Sequence, residues 1–262
     1  MTAAALLLAA FAAAPDGPAA SLDALVQAWR ARADGAAVAT QVIVHEGQAE
    51  STASAEPCVL AWQPDGPALA MRRGGLVVAI ADGRIRASHE RTEAAMDQEV
   101  RDQALTAWRA AFAEMPWPQP AMLLLPADRL LTGMDPEIGP LEVRSVDAEG
   151  DDRVVTLKGD RGSWMLRFRG DAPVRLVEAT RRIDAGPRVP KDAWIEWRMR
   201  FEHAEPESGI FRPAVEGKSR VDRLASVMPS AAPAPPRADP GRGGHEVEAT
   251  PEQRGDSIAP KP

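Results

Sequence analysis

Two stretches late in the chain constrain its fold more than any other feature: "GSWMLRFRG" (162–170) and "DAWIEWRMRFE" (192–202). In the first, Trp164, Leu166 and Phe168 alternate with Met165, Arg167 and Arg169. In the second, Ile195, Trp197, Met199 and Phe201 alternate with Glu196, Arg198, Arg200 and Glu202. A period of two belongs to β-strands, and an apolar face backed by a charged one predicts a sheet with one side in a core and the other in water. "LEVRSVDA", "DRVVTLKG" and "PVRLVEATRRI" read the same way, and "DAEGDD", "GDRG" and "RGDAP" between them suit hairpin turns. The second half of the chain is therefore predicted to be a five-strand antiparallel meander.

The first half repeats the pattern in shorter pieces. "AVATQVIVHEG", "PCVLAWQP", "PALAMRRG", "GLVVAIADG" and "GRIRASHE" are apolar runs bounded by Gly, Pro or Asp, which predicts five further strands. Ahead of them, Leu22, Leu25, Val26 and Trp29 recur at helical spacing, with Ser21 as the expected cap and Gly35 as the expected stop. A second helix is predicted from Thr92 to Met115, where Met96, Val100, Leu105, Trp108, Phe112 and Met115 fall near one face. Pro116 ends it.

Next comes "PWPQPAMLLLPADRLL", Pro116 to Leu131. Met122 to Leu125 gives four apolar residues before Pro126, far short of the roughly 20 that span a bilayer. As a turn or two of helix, Met122, Leu123, Leu125 and Leu130 face inward while Asp128 and Arg129 stay wet, with the prolines setting the entry angle. Two readings stay open: a plug that fills the open side of the sheet as core, or a movable lid over a ligand cavity.

The ends differ from the middle. Residues 1–20 are expected to be a secretory signal, with an apolar run from Ala3 to Ala14 and the small residues Ala12 and Ala14 before a cut. Residues 229–262 hold eight prolines and almost no large apolar side chain, so they are expected to be a disordered tail. Between them, 21–228 is expected to form one domain, which a chain with 45% hydrophobic residues has the means to fill. The net charge of −7, without a basic stripe, argues against nucleic acid as a partner.

Chemistry is sparse. The chain lacks G-x-S-x-G, a Walker loop, G-x-G-x-x-G, C-x-x-C and H-E-x-x-H. Cys58 needs a base such as His45 or His89 to act as a nucleophile; its alternation with Leu60 and Trp62 fits a core position better. His45, His89 and His203, even with Glu46, Glu90 or Glu202, are too far apart in sequence to suggest a metal site, and no metal or other cofactor is expected. Arg72 and Arg73, in "RRGG", read as an anion site or as the basic rim of a hairpin. Trp194 falls on the charged face of its strand, which hints at something covering it.

This order of parts resembles the lipoprotein localisation factor family, the LolA-like and LolB-like periplasmic carriers and the related envelope-stress sensor domain. The resemblance spans roughly Ser21 to Glu202, and its local matches are "IADGRIRASHE" and "PAMLLLPADRLL". It implies an α+β fold: a strongly curved antiparallel sheet, an incomplete β-barrel of about 10–11 strands, with helices plugging its open side. It implies a non-catalytic periplasmic protein that binds lipoprotein acyl chains or another lipid in an apolar cavity, with no stable transmembrane anchor. The residues expected to line that cavity are Met122, Leu123, Leu124, Leu125, Leu130, Leu131, Trp164, Leu166, Phe168 and Trp197. In the family a basic residue latches helices to sheet, and Arg72 and Arg73 are the candidates for it here. An envelope sensor that contacts a protein partner, and an unrecognised hydrolase, are the alternatives.

Overall fold

The computed structural model describes residues 18–31, 34–63, 68–100, 120, 123, 131, 135, 137–170, 173–184, 189, 192–207 and 209–229. They form one large, curved sheet that does not close on itself, accompanied by one α-helix. The fold is thus sheet-dominated, and among the described residues one helix stands where several were expected.

That helix, α1 (Pro18–Arg30), buries Leu22, Leu25, Val26 and Trp29, the four residues whose spacing predicted it. It begins ahead of Ser21, so Ser21 lies inside the helix; Pro18, with its fixed φ and no N–H to satisfy, suits the first turn. Gly35 does not stop the helix but sits in the first strand. A Cβ there would lie 3.0 Å from the carbonyl oxygen of Ala204 and 3.2 Å from that of Leu60, so a larger residue would require the neighbouring strands to give way slightly.

The strands are β1 (Asp34–Glu46), β2 (Ala49–Ser54), β3 (Cys58–Trp62), β4 (Leu69–Arg73), β5 (Leu76–Ala81), β6 (Arg84–His89), β7 (Ala94–Glu99), β8 (Glu142–Glu149), β9 (Asp152–Gly159), β10 (Gly162–Arg169), β11 (Arg175–Ile183), β12 (Ala193–Ala204) and β13 (Ser219–Val221). They lie in the order β13-β7-β6-β5-β4-β3-β1-β12-β11-β10-β9-β8, with β2 paired to β1. Two antiparallel meanders, β3–β7 and β8–β12, are thereby joined through β1. The seam is the β1–β12 ladder, in register from Gly35 opposite Ala204 to Glu46 opposite Ala193.

The expected helix from Thr92 is overturned in its first part: Ala94–Glu99 is strand β7, paired with β6. Its remainder from 101 lies outside the described residues. A parallel strand, β13, lies on β7, and the Lys218 ammonium donates to the carbonyls of His89 and Thr92 at 2.7 and 2.6 Å, so the edge of β7 is covered. At the other end of the sheet, β8 carries mostly exposed polar and charged side chains, which discourages edge-to-edge pairing.

One face of the sheet carries the core. Trp29 of α1 meets Trp62 of β3 edge-on at 5.1 Å, and Phe168 of β10 and Phe201 of β12 at 6.4 Å each, so a single indole touches both meanders.

Candidate functional site

The site follows from a change of partner along β1. One edge of β1 pairs with β12 throughout, but the other pairs with β3 over Asp34–Val38 and with β2 over Gln41–Glu46. Where one partner stops and the other begins, the ladder opens, and the Ala55 N–H bonds the Thr40 carbonyl at 2.9 Å to turn the chain through the gap. A cleft of about 190 Å³ lies there, lined by Thr40, Val42, Ala55, Glu56, Cys58, Arg73, Pro120 and Trp197. That volume is below the range of a drug-sized pocket.

Register places Thr40, Val42, Cys58, Arg73 and Trp197 on the core side. Thr40 faces Met199, Val42 faces Trp197, and Cys58 lies between Val38 and Arg73 on its two neighbouring strands. Burial pushes the Cys58 thiol up to about 12, with the charge of Arg73 pulling the other way, so it stays protonated and behaves as a small hydrophobe.

Next to the cleft lies a buried polar cluster. Arg181 on β11 stands in register with Trp164 on β10 and Trp197 on β12, and its guanidinium covers the Trp197 ring at 4.4 Å. It is fully buried, donating to both oxygens of Asp135 at 2.5 and 2.8 Å and to Glu137 at 2.7 Å. Asp135 also accepts from the Trp164 indole at 3.0 Å and from the backbone N–H groups of Glu137 and Ile138 at 3.1 and 3.2 Å. The chain that leaves the leucine-rich segment is thus pinned to the sheet by Arg181. Neither Arg72 nor Arg73 does this: Arg72 faces outward and pairs with Glu207 at 2.5 Å, while Arg73 lines the cleft.

Of the residues expected to line a cavity, Trp197 lines the cleft. Trp164, Leu166 and Phe168 are buried in the core cluster that also holds Leu123, and Leu131 packs against that cluster partly exposed. Met122, Leu124, Leu125 and Leu130 lie outside the described residues. The missed contributors are Thr40, Val42 and Ala55, which sit at an interruption that strand periodicity does not register, and the Arg181–Asp135 pair, whose members are 46 residues apart.

The outer face explains Trp194. Its ring stacks on His45 at 3.4 Å, and the Arg182 guanidinium lies 4.1 Å from it, so the tryptophan is covered by its own sheet. His203 spends both ring nitrogens on Asp34 and the Leu176 carbonyl, at 3.1 and 2.8 Å. Among the described residues, no three His, Cys, Asp or Glu side chains gather in a way that could hold a metal, and no helix is long and apolar enough to cross a membrane.

No known protein-family model matches the chain, and no curated protein matches it. Solved structures do. An uncharacterised conserved protein from Thermus thermophilus aligns at 8% identity over 79% of this chain and 100% of its own, with a TM-score of 0.42. A DUF1329 family protein from Desulfovibrio piger aligns at 9% identity over 76% of this chain and 98% of its own, with a TM-score of 0.31. A putative outer membrane lipoprotein-sorting protein domain from Vibrio parahaemolyticus aligns at 11% identity over 77% of this chain and 97% of its own, with a TM-score of 0.27.

Proposed function

We propose that the protein is a non-catalytic, exported periplasmic carrier that binds the hydrocarbon part of a lipid, such as a lipoprotein acyl chain, in the cleft where β1 changes partner. The observation that carries this reading is the composition of the cleft: beside the polar Thr40, Glu56 and Arg73, the residues Val42, Ala55, Cys58, Pro120 and Trp197 give it apolar walls, in a sheet that stays open. Such a site binds by removing apolar surface from water, at roughly 25 cal/mol per Å², and needs no reactive group. A protonated, buried Cys58 is in keeping with binding rather than nucleophilic chemistry.

Of the leucine-rich segment, Pro120 borders the cleft and Leu123 is buried in the core. Native mass spectrometry of protein purified from envelope extracts tests the proposal, together with titration of the neutral fluorophore phenylnaphthylamine. The expected result is a co-purifying lipid and saturable fluorescence that Ala55→Phe, which fills the cleft, abolishes. Absence of both a bound lipid and fluorophore binding overturns it.

A further inference from the structure

The cleft has a charged lip that an aliphatic chain alone does not use. Arg73 ends β4 on the core side of the sheet: its register partners are Cys58 on β3 and Leu76 on β5, which are 4% and 1% exposed. Its neighbour Arg72 points the other way and is neutralised by Glu207. Arg73 is half-buried and, among the described residues, makes neither a hydrogen bond nor an ion pair. A guanidinium on an apolar face is normally matched by a carboxylate, as Arg181 is by Asp135 on the same face of this sheet, because shedding water without gaining a partner is costly. The other charge on the cleft, Glu56, does not supply that partner. It is exposed, makes no ion pair with Arg73, and leans over the turn at Gly74, where an added Cβ would come within 2.2 Å of its Oε1.

We infer that Arg73 is the headgroup subsite of the cleft, and that the ligand is a single-chain amphiphile with an anionic headgroup, a carboxylate or a phosphate. This rests on the hydrophobic-ligand reading and sharpens it. The guanidinium fork pairs with either anion through two parallel hydrogen bonds. The chain then runs from Arg73 past Cys58 and Thr40 toward Val42 and Trp197. A cleft of about 190 Å³ admits the start of one chain and not several side by side, which selects a single-chain ligand.

The test is displacement of phenylnaphthylamine by dodecanoate, dodecyl phosphate and dodecanol, which share a chain and differ in headgroup, with acetate and inorganic phosphate as headgroups without a chain. In the unaltered protein the two anions bind at least about tenfold more tightly than dodecanol, the effect of one charge-assisted hydrogen bond, and acetate and inorganic phosphate do not compete. Arg73→Gln removes the preference, so that the anions and dodecanol bind this variant equally. Arg73→Lys restores part of the preference. Equal binding of dodecanoate and dodecanol to the unaltered protein, or an anion preference that survives Arg73→Gln, overturns the headgroup assignment alone. Competition by acetate as strong as that of dodecanoate also overturns it. If neither the fluorophore nor any dodecyl compound binds, the hydrophobic-ligand reading falls and this inference with it.

Discussion

The guanidinium of Arg181 and the carboxylate of Asp135 form a fully buried ion pair, with the Trp164 indole donating to the same carboxylate. Because both charges are removed from water, deleting one strands the other. Arg181→Met is expected to destabilise the protein by about 3 kcal/mol or more, and the double variant Arg181→Met, Asp135→Leu to cost clearly less than the sum of the single changes. Urea midpoints of the four proteins check this. Additive losses would show that the pair is not coupled.

Cys58 is predicted to be silent toward thiol reagents in the folded protein. With its thiol pushed up to about 12, about one molecule in ten thousand carries the thiolate at pH 8, against roughly a quarter for an ordinary cysteine. Labelling by a chromogenic disulfide should be slow in native buffer and complete within minutes in urea. Fast labelling of the native protein would contradict the burial.

Acid should weaken the β6–β7 end of the sheet. Burial pushes the Asp97 carboxyl up, but hydrogen bonds from Arg84 and Arg220, and their charges, outweigh this and hold it at about 2. A carboxylate depressed in the folded state contributes its stability above its unfolded value near 4, and that contribution drains away as pH falls from about 4 to about 2. The Arg169 hydrogen bond draws Asp152 in the same direction. Urea midpoints measured across this window should fall for the unaltered protein and fall less steeply for Asp97→Asn. Identical slopes would remove Asp97 from the explanation.

Trp194 is held between two side chains on the outer face, so Trp194→Ala is expected to cost about 1 kcal/mol through the lost ring and cation contacts. The expected effect on binding of phenylnaphthylamine is nil, because Trp194 does not line the cleft. A loss of binding with stability unchanged would place a ligand on the outer face instead.

These relationships differ in how readily the sequence shows them. Helix α1 and the strands β8 to β12 are legible because Leu22, Leu25, Val26 and Trp29, or Trp164, Leu166 and Phe168, have a periodicity that matches their burial. β7 is not: its apolar positions are two alanines and Met96, which with Val100 mimics helical spacing, and strand formation there depends on pairing with β6 and β13. β2, "AESTAS", is exposed throughout and carries no apolar pattern at all. Arg181 is hidden for a different reason. In "VEATRRI" nothing local distinguishes it from Arg182; only the fold shows that Arg181 turns to the core and Arg182 to water. Arg73 is visible as a charge, but the face it stands on follows from the register of β3, β4 and β5.

The β1–β12 ladder joins residues that lie between 147 and 169 positions apart. Closing so long a loop is entropically slow, and during synthesis β1 has no partner for that edge until residues 193–204 have emerged. Folding of the whole sheet is thus timed by its last long strand: any chain cut before Ala193 keeps β1 as an open edge, available to pair with another molecule. The seam that unites the two meanders is also the place where an incomplete chain would aggregate.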